Sequence, residues 1–378
     1  MMGAIGMQGV VRGYLVYDMT SSPIILGLVS GGFAIPMLVL ALFGGAMADR
    51  LERRRIIQTC QAIAGIGALI ITVSIVTETV TWVHLFVESV LNGIIFAFLV
   101  PARSALIPQL VGKKLLTNAL ALNSTAMSSM TLLAPALAGN LYNLLGPAGV
   151  YFIIAGLEGA AVVLTGIIRK PREEKYSPRK AMLRDIKAGL KYIRSSSMVL
   201  LLLAMALATT LLAMPFRFLM PIFVVDIYHR GPEALGLLSS IMGIGAVLGS
   251  MAVARMGRWR RGWVLIVGGL LSGCGLLLVG IAPVYAVGAV AMALLGLGDS
   301  LRRSLNMALI LEVVDEEYRG RVSSVYAMNF GLMPLGVVPA GIVAQYFGAR
   351  VSVDLMAALL LAVCLTVMIT QKRLRDLM

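Results

Sequence analysis

The stretch Gly45-Ala46-Met47-Ala48-Asp49-Arg50-Leu51-Glu52-Arg53-Arg54-Arg55 decides the fold. An apolar run from Pro23 to Ala48 leads into it, and a second, Ile56 to Val76, follows at once. Two apolar helices joined by so short a basic hairpin fit no soluble element. They fit a chain that crosses a bilayer, turns within a few residues and re-enters. The arginines then stay in the headgroup zone, where they pair with anionic lipid and avoid hydrocarbon. Gly45 lets two helices approach closely, and Asp49 stands where a helix end and several cations can hold it.

The same alternation recurs along the chain. Of 378 residues, 59% are hydrophobic and 13% charged, with a mean hydropathy of +0.92. A soluble globule carries roughly 25% charged residues. Only helices or closed barrels satisfy their backbone in lipid, and barrel strands alternate polar with apolar residues. These runs do not alternate, so the sequence predicts an all-α membrane protein. The net charge of +14 raises the question of a nucleic-acid partner. Its distribution answers that. Segments 49–55, 103–114, 169–197, 255–261, 302–321 and 372–375 hold 28 of the 32 lysines and arginines, while the alternate connections hold Arg230 and Arg350. Basic residues mark the cytoplasmic face, which places both chain ends there and excludes a nucleic-acid footprint.

Twelve spans are expected: a short one over 1–17, then 23–47, 56–77, 82–102, 117–141, 148–168, 198–227, 233–254, 262–281, 284–301, 319–345 and 350–371. At 1.5 Å per residue the first reaches only ~25 Å, so its beginning reads as truncated. Residues 1–168 and 198–378 form two six-helix bundles, with Arg103–Lys114 a cytoplasmic loop in the first. Between them, 169–197 is a basic linker. Met182, Leu183, Ile186, Leu190 and Ile193 share one helical face and Arg184, Lys187, Lys191 and Arg194 another, which predicts a surface-lying amphipathic helix. An internal repeat supports the two-bundle plan. Ser22-Pro23 with Leu26-Gly27-Leu28-Val29-Ser30 returns as Gly231-Pro232 with Leu235-Gly236-Leu237-Leu238-Ser239. The basic hairpin returns too, decayed, as Gly249, Arg255, Arg258, Arg260 and Arg261.

The hairpin resembles the signature loop between the second and third spans of the major facilitator superfamily of secondary transporters. Gly45, Asp49, Arg50, Arg53, Arg54 and Arg55 match its pattern, while Glu52 stands where the family prefers glycine. The resemblance implies that Asp49 contacts the start of the eleventh span, here Asp315 to Arg321, with Arg319 or Arg321 as its cation, and locks the cytoplasmic side. Asp315 fits a helix cap. Pro101 to Val111, Asn118 to Ser124 and Tyr14 to Pro23 resemble a branch of bacterial exporters that includes enterobactin and macrolide efflux proteins. Ala134-Pro135-Ala136-Leu137-Ala138-Gly139 resembles the antiporter signature, with Pro135 and Gly139 retained. What these resemblances imply is a monomeric exporter of a small amphipathic molecule in the bacterial inner membrane, driven by protons. An uptake carrier and a non-transporting receptor or scaffold are the alternatives.

Ionisable residues inside spans are the coupling candidates, because a charge in hydrocarbon needs a partner or water. Glu158 lies near the middle of the sixth span, Glu88 in the outer half of the fourth, and Arg12 and Arg217 in the outer halves of the first and seventh. Asp299 lies near the inner end of the tenth. A structural ion pair with Arg12 or Arg217 is the other reading of both glutamates. Asp226, at an external end, is expected to be solvated. Asn92, Phe96, Asn123, Met127, Phe216 and Asn329 are candidates for lining a substrate cavity. Cys60, Cys274 and Cys364 fall within spans and His84 and His229 stand alone, so neither metal nor cofactor is expected. No nucleotide-binding loop and no hydrolase signature occurs, which argues against ATP as the energy source and against an enzyme.

Overall fold

The computed structural model describes residues 1–168, 191–256 and 260–375. All regular structure in these residues is helical. The helices are α1 (Met2–Thr20), α2 (Pro23–Gly31), α3 (Ala34–Arg50), α4 (Arg53–Val76), α5 (Trp82–Ile167), α6 (Ser197–Leu212) and α7 (Phe216–Ile222). They continue as α8 (Pro232–Arg255), α9 (Arg261–Ile281), α10 (Tyr285–Val313), α11 (Arg319–Met328), α12 (Pro334–Phe347), α13 (Ala349–Thr370) and α14 (Lys372–Arg375). Eight helical stretches among the described residues are long and apolar enough to cross a membrane. The helix expected in the linker falls mostly on 169–190, outside the described residues.

Two compact units form. Unit 1 is Met1–Ser177 with Val224–Ser240; unit 2 is Pro178–Phe223 with Ile241–Met378. The outer connection after α7 thus groups with unit 1. There Tyr17 donates to the Asp226 carboxylate, while Asp226 itself is exposed, as expected. Ser240 Oγ donates to the Leu132 carbonyl at 2.6 Å. A Cβ on Gly236 would stand 2.4 Å from the Pro135 carbonyl oxygen. The Pro135–Gly139 motif therefore serves close backbone packing.

The backbone is assigned helical throughout α5, including Arg103–Lys114, which was expected to be a loop. A straight helix of 86 residues would be about 130 Å long, far beyond a bilayer. The run instead doubles back. Arg103 donates to the side chain of Asn123, twenty residues on, which no straight helix allows. A second reversal falls at Gly146, whose φ of +70° suits glycine, with Pro147 next.

Close backbone contact holds neighbouring helices. A Cβ on Gly93 of α5 would lie 2.0 Å from the Phe33 carbonyl oxygen, and one on Gly44 would lie 1.9 Å from that of Ala97. Pro101 has no N–H, so the Ala97 carbonyl lacks its helical donor and is open to that approach. Unit 2 repeats the arrangement. A Cβ on Gly296 of α10 would lie 1.9 Å from the Met242 carbonyl oxygen. The shift that carries Pro23 onto Pro232 carries Phe33 onto Met242, so the sequence repeat reappears as a repeated contact. In lipid, where apolar association gains little, such small-residue packing is a main source of helix adhesion.

The turn after α3 is short. Leu51 and Glu52 are both extended, with φ of −108° and −61°. A φ of −61° suits any L residue, so glutamate replaces the family's glycine here without strain.

Candidate functional site

The hairpin arginines do more than face headgroups. Arg53 is buried at 7% exposure and its Nη1 donates to the Ala105 carbonyl at 3.1 Å. Arg54 Nη1 donates to the Ile168 carbonyl, just past the end of α5, at 2.6 Å. A helix C-terminus leaves carbonyls without donors and carries partial negative charge, so Arg54 suits that place. These two side chains tie the hairpin to both neighbouring segments of α5. This corrects the expectation that all the arginines lie among lipid headgroups. The side chains of Gly45, Asp49 and Arg50 lie outside the described residues. Arg319 Nε donates to the Leu311 carbonyl at 3.0 Å and its Nη1 to Glu316 at 3.2 Å. Arg321 pairs with Glu317 at 3.6 Å and covers the Tyr318 ring at 5.1 Å. The Asp315 carboxylate accepts from Tyr192 at 3.1 Å, and Tyr192 stacks on Tyr318 with centroids 4.4 Å apart.

Inside unit 1 the membrane-embedded polar groups collect on α1, α4 and α5. Glu88 accepts from Gln8, accepts from Tyr151 at 3.4 Å, and pairs with Arg12 at 3.7 Å. Glu88 and Tyr151 are 4% and 0% exposed. Three groups thus hold the Glu88 carboxylate, although Arg12 Nη1, at 3.7 Å, makes no hydrogen bond of its own among the described residues; an ion pair with Arg12 was the structural reading of Glu88. Glu158 differs. It is 2% exposed, its Oε2 has no hydrogen-bond partner among the described residues, and its Oε1 lies 3.9 Å from the Met1 backbone nitrogen. Gly65 on α4 makes room for it, since a Cβ there would stand 3.3 Å from the Glu158 Cβ. Glu158 borders a cavity of about 10 Å³ shared with Gln8, Asn92, Phe96 and Ile154, close to the space one water needs. Asn92 spends its amide on the Glu88 backbone carbonyl at 3.0 Å. Asn123 and Met127 sit together elsewhere, 3.7 Å apart and away from this cavity.

Unit 2 holds a cluster that sequence reasoning missed. The helix does not end at 301, the expected end of the tenth span: α10 runs to Val313 and has Asp299 at its midpoint. Arg302 and Arg303 follow inside the helix. Arg302, 4% exposed, donates to Asp299 Oδ1, and Arg303 donates to Oδ2. Leu305, Leu309 and Ile310, each at most 1% exposed, carry the helix on into the core. Asn306 Nδ2 reaches the Leu202 carbonyl of α6 at 3.0 Å. Arg217 is exposed and within electrostatic reach of Asp299 and Arg303. A small cavity beside the cluster is lined by Thr210, Met214, Arg302, Arg303, Tyr326 and Asn329. Phe216 packs in the core at 2% exposure, edge-on to Phe223. The signal for the cluster was present in the spacing: acid and bases at i, i+3 and i+4 neutralise one another on one helix face.

Comparison with known proteins follows this architecture. Macrolide efflux protein A of Streptococcus pyogenes is 24% identical over 349 residues, covering 89% of this chain and 85% of that protein. The enterobactin exporter EntS of Citrobacter koseri is 24% identical over 327 residues, covering 85% and 77%. In solved structures, a variant of the nucleoside transporter NupG superposes with a TM-score of 0.80 at 13% identity, covering 98% of each chain. A bacterial homologue of the human lysosomal transporter Spinster, inward-facing and occupied, gives 0.78 at 14% identity, covering 99% and 97%. These likenesses give the fold. The Major Facilitator Superfamily model matches residues 1–337, and the chain belongs to that family of multi-pass membrane transporters.

Proposed function

We propose that the chain is a secondary active exporter of the bacterial inner membrane that moves a small amphipathic molecule against protons by alternating access. In this reading the halves 1–168 and 198–378 move about the linker 169–197, both termini are cytoplasmic, and the protein works as a monomer. The efflux relatives support the direction of transport. They are named for different cargoes, so the cargo of this chain stays open.

The observation that carries the proton part is Glu158. Glu88 is held by Gln8, Tyr151 and Arg12, and protonating it would disrupt three interactions. Glu158 Oε2 accepts no such bond, so a proton arriving there displaces no hydrogen-bond donor, and the pairing it weakens is the 3.9 Å contact of Oε1 with the Met1 nitrogen. A buried carboxyl beside a water-sized space is the arrangement a proton carrier needs. The gate is assigned to Asp49 and Arg50 with Gly45, Arg53 and Arg54, acting against the segment with Arg319 and Arg321.

Proteoliposomes loaded with a pH dye test this. Candidates added outside should include erythromycin, salicylate and phenyl phosphate. A transported compound is expected to evoke a pH change in the lumen. Binding to the purified protein with no proton or solute movement would instead favour the receptor alternative. Asp49→Asn is expected to lower transport with expression near normal, measured on the same vesicles; unchanged transport would remove the gate.

A further inference from the structure

The Asp299 cluster has no part in the proton reading, and its chemistry is of another kind. Three guanidiniums, Arg217, Arg302 and Arg303, act on one carboxylate. They do so at the midpoint of α10, with Arg302 4% exposed, where buried charge is costly unless balanced. The backbone around them is irregular. The seventh helical stretch breaks between α6 and α7 at Met214. The eleventh breaks into a 3₁₀ turn at Asn329–Leu332, between α11 and α12. Met214 and Asn329 both line the cavity that Arg302 and Arg303 border. Irregular backbone at membrane depth is tolerated where it is buried in protein or lines a water-filled cavity, and here it borders a cavity.

We propose that this cavity, about 10 Å³ and so no larger than one water needs, marks an anion subsite that an oxyanion enters by displacing the Asp299 carboxylate from Arg303, and that the cargo carries an acidic group, a carboxylate, sulfonate or phosphate monoester, on an apolar body. Arg303, which lines the cavity, is the binding arginine, and Arg217, outside the lining but within electrostatic reach of Arg303, assists it. The Arg303 side chain is 42% exposed and Arg217 is exposed, whereas Arg302 is buried and stays with Asp299. A guanidinium fork pairs with such oxyanions through two parallel N–H bonds, which a neutral amide cannot match. Tyr326 and Asn329 add polar side chains, and Met214 and Thr210 supply the flank for the body. Asp299 is then a stand-in: it holds Arg303 when no anion is bound and yields it to the incoming oxyanion. This rests on the transport reading for the word cargo, but the binding itself does not.

The test is an equilibrium one, with no gradient, in nanodiscs of phosphatidylcholine so that no anionic lipid competes. Salicylate, naphthalene-2-sulfonate and phenyl phosphate are titrated by calorimetry against salicylamide, the neutral control. At least one anion is expected to bind more tightly than salicylamide. Arg303→Gln and Arg217→Gln should each weaken that anion about tenfold, or roughly 1.4 kcal/mol, and leave salicylamide unchanged. Arg303→Lys should recover part of the loss. Should Arg303→Gln fail to elute as native protein, Arg217→Gln, exposed and on another helix, carries the test. Anions bound no better than the amide, or bound equally by both glutamine variants, would overturn the subsite. Charge-selective binding without any flux would leave the subsite standing and remove the transport reading.

Discussion

In unit 1, Gly93 meets the carbonyl of Phe33; in unit 2, Gly296 meets that of Met242. At this register Asp299 stands where unit 1 has Phe96, and Arg302 and Arg303 where it has Leu99 and Val100. Leu99 is 1% exposed in an apolar cluster with Ile56, Ile57 and Ile95. One backbone solution thus carries two interiors. Among the described residues, unit 1 brings together Glu88, Glu158 and Arg12, with Arg53 buried at the hairpin; unit 2 brings together Asp299, Arg302 and Arg303. The comparison teaches that the glycine contacts fix where helices touch and leave the charge of the interior free to vary. A carboxylate-rich interior suits proton exchange, and a guanidinium-rich one suits an anion.

The shared scaffold is the first place to break this. Gly93→Val and Gly296→Val each force a side chain into a backbone carbonyl, so whole helices must shift. Each is expected to cost about 3 kcal/mol, at the upper end for overpacking, and to abolish the monodisperse peak in detergent chromatography. Tolerance at one glycine alone would end the equivalence. The buried network of unit 1 comes next. Glu88→Leu should destabilise by about 3 kcal/mol, because Arg12 is left without its carboxylate, and Arg12→Leu added to it should recover much of the loss. Thermal melts of the single and double variants decide this; additive losses would show that the pair is not coupled. The smallest effect is expected at Tyr192→Phe, which keeps the stack on Tyr318 and loses the bonds to Asp315 at 3.1 and 3.2 Å. About 1 kcal/mol or less is the expected change in melting free energy.

Much of this was legible in the chain itself. Apolar run length and the one-sided placement of basic residues gave the spans, and Pro23 with Pro232 gave the repeat. Glu158 was legible as an isolated acid in an apolar run. What escaped was the inner end of the tenth helix. Asp299, Arg302 and Arg303 read as a polar stop because hydropathy treats each charge as if alone. On a helix they lie on one face and pair, and the apolar period resumes at Leu305. The helical path through Arg103–Lys114 escaped for a similar reason, since polarity marks a surface segment and says nothing of its backbone. Burial of Arg53 was also out of reach, because the carbonyl of Ala105 that receives it is fixed only by packing.

Transport of radiolabelled salicylate or erythromycin by proteoliposomes holding the native protein, Glu158→Gln or Glu88→Gln bears most directly on the central claim. Each is assayed twice, with a pH gradient and as gradient-free exchange of labelled for unlabelled compound. Glu158→Gln is expected to lose gradient-driven accumulation and keep exchange, while Glu88→Gln loses both in proportion to its folded fraction. Gradient-driven accumulation surviving in Glu158→Gln would contradict the assignment of proton coupling to that carboxyl.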